Sequence, residues 1–223
     1  MVMDPRKRQK KLERKKAKVK AKRQKLARQE SQEHSRRMQE VATAPILHCR
    51  ASAAIWQQGM GQVLISRKLS FGMVAVGCFL VDTYCLGVKD AFLLVGSRAQ
   101  YDEDFHDGWI RREKTIKMQP DCARKLIEGA VHYAEDLGFS PHTDYRSAKH
   151  IFGDLDVENC CKEFTFGKDG KPYFVAGPHD SPARCERILR TLEQHCEPGQ
   201  FHYLMPVGEE ILEELELLEA PYV

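Results

Sequence analysis

Between Arg6 and Arg28 the chain sets fourteen lysines and arginines against a single glutamate, in the run RKRQKKLERKKAKVKAKRQKLAR, with no glycine or proline inside it. Charge at that density cannot be taken out of water unpaired, so the segment has to lie outside any hydrophobic core. Its residues are good helix formers, and Pro5 stands where a first helical turn tolerates proline. We expect an arm that is partly disordered alone and helical once counter-charges are supplied. Leu12, Val19 and Leu26 recur every seven residues, but one apolar row is too narrow for a coiled-coil seam, which leaves a solvated arm.

The arm also divides the chain electrically. Residues 1–40 carry 16 basic and 5 acidic side chains, or +11, whereas the other 183 residues carry 19 and 27, or −8; the overall +3 conceals the split. We therefore read three regions: a basic arm over residues 1–42, a globular body over 43–207, and an acidic amphipathic helix over 208–223. No uncharged apolar run reaches the ~18–20 residues of a membrane span, and MVMDPRKRQKK has no apolar core of a secretory signal. A cytoplasmic protein is expected. Its eight cysteines are scattered, and a chain of this size folds without staples, so they read as reduced thiols.

In the body, Gln62 to Leu69 and Met73 to Gly96 read as strands around the turn SFG. The longer run should break near TYCLG, with Gly77 marking a bulge and Gly87 a turn, which makes a three-stranded antiparallel meander. In PDCARKLIEGAVHYAEDLGF the residues Ala123, Leu126, Ile127, Ala130, Val131, Ala134 and Leu137 keep helical spacing, ended by Gly138. A shorter helix is expected from Asp144 to Phe152, capped by Thr143. Asp169-Gly170 signals a second hairpin, followed by a helix that Asp180 or Ser181 caps and Pro182 opens, and then a strand in FHYLMP. The resulting expectation is an α+β body in which an antiparallel sheet, built from two hairpin-then-helix units, carries helices on one face.

The blocks CFLVDTYCLGVKDAF, from Cys78 to Phe92, and FGKDGKPYFVAGPHDSP, from Phe166 to Pro182, resemble a group of uncharacterised bacterial proteins. The resemblance covers about residues 45–206 and implies one body of a recurrent type, without a mechanism. The basic arm and the acidic tail lie outside it.

Read for chemistry, Asp82, Asp90, Asp154, Asp156 and Asp180 sit in loop-like settings, where carboxylates converging on a hard cation would support a metal-dependent phosphodiesterase or nuclease. Turn and cap formation explains the same aspartates, and no metal or cofactor is predicted. GPHDSPAR leads a strand into a helix N-terminus, where Ser181 and Arg184 could receive an anion, although Asp180 competes for that place. His179 and Asp180 are neighbours in sequence and so do not face each other as an acid/base pair. No CxxC pair supports a zinc knuckle, no GxxxxGK[ST] supports a P-loop, and Cys122, near a helix start, is the one cysteine placed for thiolate activation.

The arm carries the functional reading. Lys10, Lys11, Arg14, Lys15, Lys18, Lys22, Arg23 and Lys25 are expected to neutralise phosphates, of RNA more than DNA, because a basic arm suits irregular RNA. The body shows no row of exposed aromatics. The competing expectation is a small-ligand or enzymatic body that the arm localises, with residues 208–223 masking the arm or docking a protein partner through their leucines.

Overall fold

The computed structural model describes residues 5–111, 113–178 and 180–205. The expected acidic helix over 208–223 lies outside the described residues.

Helix α1 (Pro5–Thr43) takes up the whole basic run and continues to the edge of the body, a length of about 58 Å at ~1.5 Å per residue. It leads into strand β1 (Ile46–Ser52), a short helix α2 (Ala54–Gln58), and strands β2 (Met60–Lys68), β3 (Met73–Asp82) and β4 (Gly87–Ser97). Helix α3 (Arg98–Tyr101) runs on as a π-helical segment, Asp102–Ile110, before strand β5 (Thr115–Lys117) and helix α4 (Pro120–Asp136). Helix α5 (Tyr145–Ala148) extends as one 3-10 turn to Ile151; strand β6 (Tyr173–Val175), helix α6 (Pro182–His195) and strand β7 (His202–Leu204) complete the described chain.

The expected α+β class is present. The meander has four strands, β1 to β4, where three were expected, and β5 joins at the β1 edge to complete a five-stranded sheet in the order β4-β3-β2-β1-β5, antiparallel throughout. The break near TYCLG falls at the turn between β3 and β4. Gly77 is not a bulge: a side chain there would come within 2.6 Å of Ile151, so it allows close approach to the covering layer. The register shift lies instead between Leu80 and Val81.

Two further expectations need correction. Asp169-Gly170 forms a tight turn closed by the isolated bridge Lys168–Lys171, but β6 does not pair back across it; β6 pairs in parallel with β7, after α6 has crossed between them. The second half is therefore a β-α-β unit, and the two halves are not copies of one hairpin-then-helix motif. Nor do helices cover only one face. Period-two alternation sends Val63, Ile65 and Phe79 towards α4 and α5, and sends Leu64, Val74 and Val76 to the other face, under Tyr101, Phe105 and Trp109 of the α3 and π-helical region. Near-continuous burial along β3 is what such two-sided cover produces, and the run VAVGCFLV shows it.

Helix α4 buries Cys122, Ala123, Leu126, Ile127, Ala130, Val131 and Ala134 along one stripe, as its spacing requires. Thr143 does not cap the next helix, whose first flanking residue is Asp144 without a side-chain cap.

The end of α1 is built into the body through a buried arginine. Arg67, 1% exposed, donates from Nε to the Ile151 carbonyl (2.8 Å), from Nη1 to the Ala44 carbonyl (2.6 Å), and from Nη2 to the Phe152 carbonyl (2.7 Å) and Asp154 Oδ1 (2.8 Å). Val41 is fully buried, and Gly153, at φ +51°, passes so close to the Ala42 carbonyl that a side chain there would overlap it.

Candidate nucleic-acid interface and the junction of the two blocks

Lys18, Lys22, Arg23 and Lys25 are exposed along α1, and every described side chain from Lys22 to Arg37 is exposed, so no part of the body covers this stretch. Lys10, Lys11, Arg14 and Lys15 belong to the same helix, with side chains outside the described set. Spacings of four and three residues put positions 11, 15, 18, 22 and 25 on one face over about 21 Å, a cationic stripe that the exposed Lys16, Lys20 and Arg23 flank on the other faces of the helix. At the body end, Ser70 N donates to Glu40 Oε1 (2.8 Å) and Asp154 N to the Ala42 carbonyl (3.2 Å). The bond from the Ser70 backbone holds the Glu40 carboxyl below its ordinary range, and Arg36 and Arg37 add to that.

The two sequence blocks meet at Lys89. Its Nζ lies 3.9 Å from Asp180 Oδ2, with the side chains 12% and 6% exposed. Asp180 also accepts from Gly177 N (2.8 Å) and faces Arg184 Nε (3.1 Å), while Ser181 Oγ caps α6 by accepting from Arg184 N (3.3 Å). The place where Ser181 and Arg184 were expected to receive an anion is thus filled by the chain's own carboxylate. Asp82 closes the β3–β4 turn by accepting from Tyr84 N (2.9 Å) and Cys85 N (3.0 Å). Burial raises its pKa, against opposing effects from those bonds and from Lys89. The blocks are stitched again where Gly167 N donates to the Thr83 carbonyl (2.9 Å) and Tyr173 N to the Tyr84 carbonyl (3.1 Å). Beside this seam lies a cleft of about 440 Å³ lined by Trp56, Thr83, Tyr84, Phe164 and Lys168, with Trp56 and Phe164 stacked at 5.8 Å.

The aspartates do not converge. Asp90 is exposed beside His142 (3.8 Å), Asp154 is held by Arg67, and Asp156 accepts from Glu158 N (3.0 Å) to cap a 3-10 turn. Among the described residues no group of three His, Cys, Asp or Glu side chains could hold a metal ion. Asp82, Asp154, Asp156 and Asp180 instead serve a turn, a cap or an ion pair. His179 lies outside the described residues.

Cysteine usage departs from the reading of eight reduced thiols. Cys122 and Cys160 are joined as a disulfide, with Cα atoms 5.0 Å apart, which removes Cys122 as a candidate nucleophile. The bond ties the first turn of α4 to the 157–160 turn, and a pairing across 38 residues leaves no local spacing signal. Cys49, Cys78, Cys85 and Cys185 are buried free thiols; burial pushes the first two up to about 12.

Sequence reasoning missed Arg67, Trp56 and Phe71. Arg67 was recoverable, because Val63 and Ile65 point inward and the next residue on that face is Arg67. Phe71 carried no such signal: SFG reads as a turn, and turns are usually polar.

The fold is an α+β domain with a long basic helix rooted in its core. No protein-family model, curated protein or solved structure matches the chain.

Proposed function

We propose that this protein binds nucleic acid, RNA in preference to DNA, through the cationic stripe of α1, and that it does so in the cytoplasm. The observation that carries the reading is the exposure of Lys18, Lys22, Arg23 and Lys25 on a continuous helix whose far end is fixed to the body. Fixed spacing lets several phosphates be met at once, and each contact releases condensed counterions, which supplies affinity without sequence information. Within the described residues no helix is long and apolar enough to cross a membrane.

Fluorescence anisotropy with labelled RNA across a potassium chloride series tests the reading. If about eight phosphates are met, the log–log slope of affinity against salt is about −6 to −7, and full-length K18Q/K22Q/R23Q/K25Q lowers its magnitude by about 3. An unchanged slope in that variant rejects the proposal.

The cleft beside Trp56 and Phe164 favours a second reading, in which the body holds a small planar ligand and α1 localises it. Loss of ligand-induced quenching of tryptophan fluorescence in Trp56→Phe would support that account.

A further inference from the structure

Phe71 is fully exposed, at 101% of its reference surface, and its backbone is left-handed at φ +56° in the turn between β2 and β3. A bulky residue there is strained, and glycine or asparagine would be easier to hold. Burial ordinarily offsets such strain, yet this ring packs on nothing in the body. The turn is not loose, because Glu40 of α1 accepts from Ser70 N (2.8 Å) and locks the ring's neighbour to the basic helix.

Together they form one side of a groove of about 640 Å³. Leu69, Met73 and Val95 give it an apolar lining, to which Arg36, Arg37 and Phe71 add. Glu33 and Glu40 also line it, so its two guanidinium groups are matched by two carboxylates, and the Ser70 N–H helps to keep Glu40 ionised. The groove itself is formally neutral and the positive excess beside it belongs to α1, with fourteen basic residues between Arg6 and Arg28; that helix, an exposed aromatic face and two guanidinium groups together suit one occupant. That occupant is an unpaired nucleotide, with its base on the ring and its phosphates on the arginines.

We infer that Phe71 is a base-stacking residue and that the groove between it and Arg36 and Arg37 receives an unpaired nucleotide of a strand running along α1. The inference rests on the proposed binding by α1 and narrows it from polyanions in general to single-stranded or looped RNA. A base within a duplex shows only its edges, so a duplex can meet the helix but cannot use the ring.

Binding of the full chain to a short oligouridylate and to an RNA duplex of the same length tests this. Phe71→Ala removes no core contact and should fold unchanged. It is expected to weaken single-strand binding at least about fivefold, within the range for a lost stack, leaving duplex binding and the salt slope as they were, while Phe71→Trp keeps the affinity. Equal single-strand affinity in Phe71→Ala overturns the stacking inference even when the salt slope shows α1 at work. An unchanged slope in K18Q/K22Q/R23Q/K25Q overturns the α1 reading separately, and the Phe71→Ala comparison then decides stacking by itself. If Phe71→Ala abolishes self-association in sedimentation velocity with RNA affinity intact, the groove belongs to a second copy of the chain, and the inference is wrong.

Discussion

Lys89, on the fourth strand, sets its ammonium 3.9 Å from the carboxylate of Asp180, 91 positions later and just ahead of α6, with both side chains largely withdrawn from water. The pair joins the main sheet to the β6-α6-β7 unit. Removing the cation leaves Asp180 with Arg184 and the Gly177 N–H, so Lys89→Met should destabilise by about 1–3 kcal/mol. The double variant with Asp180→Asn should cost less than the sum of the two single changes, a non-additivity that urea denaturation can read.

Arg67 should be far less tolerant. Its guanidinium serves the carbonyls of Ala44, Ile151 and Phe152, so Arg67→Met strands buried acceptors and should cost about 3–5 kcal/mol. Asp154, with 65% of its side chain exposed, adds little despite the 2.8 Å contact, and Asp154→Asn should stay within about 1 kcal/mol. Comparable losses in the two variants would contradict this ordering.

Much of the fold was legible beforehand for a simple reason: where burial alone decides, periodicity reports it. The stripe on α4 is the example, whereas the β3–β4 break near TYCLG was read from its glycines. The errors arose where a distant partner decides. Tyr173–Val175 chose a parallel neighbour 29 residues downstream over the adjacent turn, and Asp102–Ile110 reads as a charged loop until Phe105 and Trp109 find the second face of the sheet. Phe71 was invisible because its role depends on what it fails to touch, and no local pattern encodes that.

The Cys122–Cys160 link closes a separation of 38 residues, for which chain-entropy accounting gives about 3–4 kcal/mol at 25 °C. Scanning calorimetry with and without dithiothreitol should show Tm falling by roughly 10 °C on reduction. C122A/C160A should not respond to the reductant; an unaltered wild-type transition would mean that the bond contributes nothing to stability.

Asp82 gives a pH dependence of defined sign. Burial raises its folded pKa, so the native state keeps a proton that the unfolded chain has already lost. Stability contributed at this site is therefore full at and below the ordinary aspartate value, and declines as pH rises from there through the raised folded value. Asp82→Asn keeps an oxygen for the Tyr84 and Cys85 N–H groups, and its stability relative to wild type should improve as the pH rises from about 4. A constant difference between the two proteins, measured by thermal melts across that range, would remove the linkage.

The rooting of α1 has a practical corollary for anyone trimming the molecule. A cut placed after Thr43 removes Val41 from the interior and takes away the Ala42 carbonyl that accepts from Asp154 N, so the remainder would fail for mechanical reasons unconnected with its missing lysines. A cut near residue 30 discards the fourteen clustered cations while sparing Arg36, Arg37 and the rooted turns. Within the length of one helix, the parts that attract and the parts that brace can be severed from each other.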